Sequence, residues 1–352
     1  MKRVGSLVLG AACLCLACGC RQADSNIYSI DVSDEVCHRV DVTTYGSVKL
    51  ETTEESLVYS IGDIIPFHGG YLIPGREKVL YFLKDGSYVA RVGQKGRGPG
   101  EYLDMSSCYV YQDTVHVFSY SGKDIHKYVL DEGGFVAAGE VNIPDSLSFS
   151  RVLQTDLYPD RYFVVNTYRG IGGVIPNVSI FDMDFKRLCS SASCVKDGGM
   201  QWNYPFSSTA DGVYFAEYVT YTLTELRADA IDETRHFDFG VNNYPDKYVN
   251  YTNSLEAIEY FKTQDTWNKT FVTIVKRYGD SLYVMLSSGR LAKYNLENGK
   301  SEVVRFMKNS TEYFPVSTFL IEDGYMIIPS EVPEDMSNPS LYRIPLTDIF
   351  RI

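Results

Sequence analysis

Residues 71–92 read Tyr71-Leu-Ile-Pro-Gly-Arg-Glu-Lys-Val-Leu-Tyr-Phe-Leu-Lys-Asp-Gly-Ser-Tyr-Val-Ala-Arg-Val92. Three short runs of aliphatic and aromatic residues are separated by Pro74-Gly75 and by Lys84-Asp85-Gly86. Runs of this length, bounded by turn-forming residues, predict strands joined by tight turns. The same order returns in residues 115–138 and again in residues 282–306, with Asp131-Glu132-Gly133-Gly134 and Glu297-Asn298-Gly299-Lys300 as the turns. Further runs of the same kind lie at 161–165, 178–182, 212–216 and 324–328. The chain holds 28 Tyr and 18 Phe, side chains that suit a pleated, half-buried surface.

These runs group into units of about 40 to 50 residues, with boundaries near residues 57, 103, 147, 203, 268 and 313. The expectation is an all-β fold, a six-bladed β-propeller of four-stranded antiparallel blades, because radial repetition leaves only short, protected edges. Two β-sandwiches would also show regular short strands. The four-strand content of each unit and the lack of a dividing linker favour the propeller. The longest interruption, residues 239–269, holds one helical pattern: Asn253 and Ser254 are able to cap it, and Leu255, Ile258 and Phe261 recur at helical spacing. It is expected as a short helical insertion between late blades.

The first twenty residues are MKRVGSLVLGAACLCLACGC. Lys2 and Arg3 precede an apolar run over residues 4–16 and then small residues, the pattern of a secretory signal peptide. The run falls short of the about 20 apolar residues that span a bilayer. Ala17-Cys18-Gly19-Cys20 resembles the lipobox of bacterial lipoproteins, in which the chain is cut before a cysteine that becomes acylated. That resemblance implies a signal peptide at 1–19 and lipidation of Cys20, with a spacer expected at 20–36 before the propeller at 37–352. Cys18 is a looser alternative position, and cleavage without lipidation would leave a soluble secreted protein.

The formal charge is −12, or −14 once Lys2 and Arg3 are removed. An acidic chain without a basic cluster excludes nucleic acid as the expected partner. Four cysteines remain after the leader, Cys37, Cys108, Cys189 and Cys194, and their spacing fits no zinc pattern. An oxidising envelope permits a Cys189–Cys194 disulfide; buried free thiols are the other reading. The five histidines, His38, His68, His116, His126 and His236, show no metal-ligand spacing. No metal or other cofactor is expected. His116 and His126 fall on neighbouring predicted strands of one unit. No Gly-x-Ser-x-Gly elbow occurs, and carboxylates are too plentiful for sequence alone to pick out a glycosidase pair.

Gly93-Gln-Lys-Gly96-Arg97-Gly98-Pro99-Gly100-Glu101-Tyr102 resembles the G-x-x-G-R-G-P-G-E-Y signature of the six-bladed β-propeller lipoproteins of Bacteroides-type bacteria, relatives of NHL and TolB-like propellers. Residues 47–53, 57–62 and the Tyr244-Pro245-Asp246 region resemble further segments of that family, so the likeness covers nearly the whole mature chain. It implies fold and an envelope location, expected as lipid-anchored and at the outer membrane, and implies no reaction. Physically, the glycines and Pro99 shape a loop carrying the chain from one blade to the next, with Arg97 and Glu101 placed to pair or to bind loop carbonyls. A phosphate cradle is the sharper alternative, but no Lys-Ser/Thr follows. Trp202, Tyr204 and Trp267 lie between blades and are candidate binding aromatics; filling the crevices between blades is the other reading. The functional expectation is a membrane-tethered envelope propeller that binds or scaffolds a peptide, glycan or partner protein. The alternative is a glycan-cleaving hydrolase or lyase with its site at the mouth of a central channel.

Overall fold

The computed structural model describes residues 26–167, 176–191, 205–209, 212–216, 221–245, 259–260, 262–263, 268–335 and 337–351. They form a six-bladed β-propeller. Blade one is built from Ile65–Phe67, Gly70–Pro74, Val79–Leu83 and Tyr88–Val92. Blade two follows with Ser107–Tyr111, Thr114–Ser119, Asp124–Asp131 and Gly134–Asn142. Blade three has Phe149–Thr155, Tyr158–Asn166, Val178–Phe181 and Arg187–Ser190. Blade four has Phe206–Thr209, Gly212–Ala216, Thr222–Leu226 and Ile231–Asp238. Blade five has Val272–Tyr278, Ser281–Leu286, Arg290–Asn295 and Ser301–Lys308. Blade six takes Leu320–Glu322, Tyr325–Pro329 and Ser340–Pro345 from the end of the chain, and its outer strand, Ser47–Lys49, from the beginning. The repeat boundaries expected from sequence precede the innermost strands by a few residues each.

Stacking each blade between two others explains the burial pattern. Side chains alternate across a strand, so Tyr81 packs toward blade two while its neighbours Leu80 and Phe82 pack toward blade six. The core is accordingly divided into six slabs, one per blade–blade interface. Second strands have both faces covered: every residue of Gly70–Pro74, Gly212–Ala216 and Ser281–Leu286 is buried. Their near-continuous apolar sequence follows from that.

Because neighbouring strands within a blade are antiparallel, the disc has two unlike faces. One carries the turns between first and second and between third and fourth strands; we call it the hairpin face. The other carries the turns between second and third strands and the blade-to-blade connections; we call it the connection face. On the hairpin face, two-residue turns at His68-Gly69, Gln112-Asp113 and Asp323-Gly324 have positive φ at both positions, the type I′ geometry that matches strand twist.

The amino-terminal segment is a strap over half of the ring. Ile27–Ser29, within the stretch expected as spacer, pairs in parallel with the outer strand of blade four. Cys37–Asp41 pairs in parallel with the outer strand of blade five. Ser47–Lys49 then closes blade six. Tyr28, Ile30 and Val32 enter the slab between blades four and five, Val40 and Val42 the next, and Leu50 the next again. Of the expected helical insertion, Glu259, Tyr260, Lys262 and Thr263 have helical backbone, while 253–258 and Phe261 lie outside the described residues.

A buried amide fastens the closure. Asn338 has no solvent exposure, accepts from the Val58 N–H at 2.7 Å, and donates to the carbonyls of Glu51 at 2.6 Å and Ser56 at 2.8 Å. Asn338→Ala would orphan these groups, and the expected cost is about 2–4 kcal/mol, read as a lower urea midpoint with the same fold by circular dichroism.

Candidate functional site: the central channel and the glycine loop

The six innermost strands surround a central cavity of about 940 Å³, within the size range of ligand pockets. It extends to the hairpin face at Asp156, Leu157 and Gly279. Its charged groups are largely engaged with the wall. Lys276, on the innermost strand of blade five, lies 2.8 Å from Asp63 at the entry to blade one, and their side chains are only 19% and 18% exposed. Thr318 donates to the same carboxylate at 3.3 Å, and the Lys276 ammonium stands 5.6 Å from the Phe319 ring centroid. The pair thus bridges blades five and one across the start of blade six. Ser107 Oγ donates to the Val152 carbonyl at 3.1 Å and accepts from the Val152 N–H at 3.2 Å, tying blade two to blade three. Cys108 lines the cavity as well, but burial pushes its thiol well above the usual range, so it is not an activated nucleophile. No histidine occurs among the lining residues.

The two histidines of blade two are not partners. His116 stands opposite Lys127 and His126 opposite Val117, so their side chains point to opposite faces of the blade. His116 bonds Tyr109 Oη at 3.2 Å, and burial pushes its pKa down to about 4. His126 is buried with Nε2 3.0 Å from Asp124, whose carboxyl is pushed up by burial. Among the described residues no group of three or more His, Cys, Asp and Glu is placed to hold a metal ion.

The glycine loop folds around its own carboxylate. Gln94–Lys95 and Glu101–Tyr102 form a short parallel pair. Between them the Glu101 carboxylate accepts from the Gly98 N–H at 2.7 Å and from the Gln94 amide, and the Gly96 N–H donates to the Tyr102 carbonyl at 3.0 Å. The N–H groups that would cradle a phosphate are therefore turned onto Glu101 and Tyr102. A Cβ at Gly96 would collide with the Glu101 carboxylate, and Gly100 combines φ +73° with a Cβ approach of 2.7 Å to Ala137. Tyr128 Oη donates to the Gly100 carbonyl at 2.9 Å, fixing the loop to blade two. Arg97 is exposed and has no ion pair with Glu101, whose carboxylate is bonded to the loop itself. Pro99 is exposed beside it.

Cys20, Cys194, Trp202, Tyr204 and Trp267 lie outside the described residues. Cys189 is half-buried on the outer strand of blade three, its sulfur 4.0 Å from the Ser190 carbonyl. What sequence reasoning missed was the Asp63–Lys276 pair. Its members are 213 residues apart, and neither stands in a motif.

A family model described as a domain of unknown function, DUF4934, matches residues 31–339. The chain belongs to that family. The match takes in the strap from Asp31 onward and reaches into the last blade. No curated protein matches the sequence. Among solved structures, the chain is similar to a protein of Bacteroides fragilis NCTC 9343 (BF0058) described as exported, with 17% identity and a TM-score of 0.68 over 90% of this chain and 99% of that one. A luciferin-regenerating enzyme matches at 11% identity and a TM-score of 0.48, over 85% of this chain and 95% of its own. BamB of Moraxella catarrhalis matches at 13% and 0.42, over 85% of this chain and 77% of its own. The first of these likenesses shows a shared fold; the other two carry no argument.

The loop geometry gives a pH signature. Hydrogen bonds from the Gly98 N–H, and secondarily from the Gln94 side chain, hold the Glu101 carboxyl below its usual range. Its stabilising effect is present above the unfolded-state carboxylate pKa, about 4.3, and is lost as pH falls through the lower folded value. The stability gap between wild type and Glu101→Gln, measured by urea unfolding, is expected to close between neutral and acid pH.

Proposed function

We propose that this DUF4934 protein is an exported, lipid-anchored envelope protein that binds a peptide, glycan or partner protein at its central channel. The observation that carries the binding role is the roughly 940 Å³ channel, whose Asp63–Lys276 pair is committed to joining its walls. Such a channel offers shape and surface to a ligand, without an activated nucleophile or a histidine among its lining residues. Export is supported by the leader-like first nineteen residues and by the description of the Bacteroides fragilis neighbour as exported. The cysteine after Gly19 supports a lipid tether, and with it an envelope membrane as the site of action.

Two experiments test the two halves of this proposal. Metabolic labelling with an alkynyl fatty acid is expected to tag wild type and to leave Cys20→Ala untagged; equal labelling would overturn the anchor. For binding, the soluble domain is screened on glycan and peptide arrays. Ser208 lies on the innermost strand of blade four, lines the channel and is exposed, so a bulky residue there narrows the bore without entering a core slab. Ser208→Trp is expected to weaken binding of any ligand found by at least tenfold while leaving the melting temperature within about 2 °C, the shift that ~1 kcal/mol produces in a large domain. Unchanged affinity would place the binding surface elsewhere.

A further inference from the structure

We propose that the channel takes a basic peptide segment, drawn in and held at the hairpin-face mouth by a ring of aspartates. This selectivity rests on the channel being the binding site. The turns between first and second strands stand nearest the axis, so together they frame that mouth. Four of the five described inner turns carry an aspartate: Asp113 in blade two, Asp156 in blade three, Asp280 in blade five and Asp323 in blade six. All four are exposed. Blade one carries His68 instead, with Nε2 3.8 Å from the Asp113 carboxylate.

Turn geometry does not account for these charges. Gln112-Asp113 and Asp323-Gly324 need residues that accept positive φ, and asparagine or glycine does so as well as aspartate. Asp156 and Asp280 do not have positive φ. Asp156 accepts from the Gln112 N–H at 3.3 Å, a bond that an amide oxygen would also make. That bond sets Asp156 against the turn that carries Asp113, so like charges from two blades stand together. Their mutual repulsion is relieved by an opposite charge from outside, and a cleft lined by one sign of charge focuses its field on such a ligand.

The cations of the channel wall are engaged elsewhere. Lys276 lies 2.8 Å from Asp63. Arg277 bonds Tyr214 Oη and stands 5.7 Å from that ring's centroid, against blade four. Arg151 lies near the start of its strand, toward the connection face, and donates to the Ser150 carbonyl at 2.7 Å. Between the aspartates the mouth is apolar. Leu157 and Tyr278 line it and are 38% and 39% exposed. Tyr278 Oη accepts from the Gly324 N–H at 3.1 Å, so its ring reaches from blade five to the inner turn of blade six, beside Asp323. Alternating carboxylates and apolar surface match lysine and arginine, which pair an apolar stem with a charged head. Each innermost strand is also the end strand of its sheet, so a backbone edge of the kind that recognises extended peptides faces the bore. Common glycans carry no positive charge, and the ring does not favour them.

The test titrates a fluorescent octapeptide of alternating lysine and serine into the full-length mature protein in non-ionic detergent, followed by anisotropy. Counterparts carry glutamine or glutamate in place of lysine. At least tenfold tighter binding of the lysine peptide is expected, an advantage lost at about 1 M salt, where the screening length is about 3 Å. Asp113→Asn, Asp156→Asn, Asp280→Asn and Asp323→Asn together are expected to remove the advantage. Asp85→Asn, Asp131→Asn, Asp184→Asn and Glu297→Gln together neutralise as many exposed carboxylates at the outer turns of the same face and are expected to change it by less than twofold. Ser208→Trp is expected to weaken the lysine peptide at least tenfold. Equal losses in the two neutralised variants would assign the effect to overall charge and overturn the ring. A glutamine peptide that binds as tightly as the lysine peptide, both weakened by Ser208→Trp, would overturn the ligand class and leave the channel standing. Lysine-peptide binding untouched by Ser208→Trp would overturn the channel and the ring's role with it, and no binding of the lysine peptide would overturn the proposal outright.

Discussion

The structure depends on one constraint: every blade must have a neighbour on both faces. A four-stranded sheet with two apolar faces is insoluble alone, and a row of such sheets would end in two exposed slabs. Curving the row until its ends meet removes both at once. The closing strand pair, Ser47–Lys49 against Ser340–Pro345, therefore sets the condition under which all six slabs are covered. Asn338 reinforces that seam by tying the end of the chain to residues 51–58. The central channel is a by-product of the same closure, since six innermost strands cannot all meet on one axis.

Much of this architecture was legible in the sequence because it is local. Strand runs such as 79–83 are bounded by turn residues a few positions away, and alternation within them shows which side chains meet which neighbour. The repeat gave the blade number for the same reason. The strap was less legible. Residues 27–29 contain no periodic pattern long enough to mark a strand, and their pairing partner lies more than 200 residues later. The segment expected as spacer, together with the residues that follow it, serves three blades in succession.

The candidate sites divide in the same way. The glycine loop announced itself as a motif, and its residues are indeed assembled around a single carboxylate. Its internal bonding was not deducible, because Arg97 and the loop N–H groups both compete for Glu101, and only backbone geometry decides for the N–H groups. His116 and His126 looked close from their neighbouring strands, yet a one-residue offset in register puts them on opposite faces. The Asp63–Lys276 bridge has no sequence signal at all. It exists only because ring closure brings blades five, six and one together around the axis.

The strap also determines how the molecule would respond to tension. Ile27–Ser29 lies parallel to its partner strand, so a pull along the chain ahead of Asn26 loads its hydrogen bonds in shear. Bonds loaded this way share the force and must fail together, whereas a strand drawn sideways unzips one bond at a time. The load then passes through Ile30 and Val32, both buried between blades four and five, before it reaches the seam at blade six. The first point of attachment thus shields the closure, and the ring is mechanically isolated from whatever tugs at its leading end.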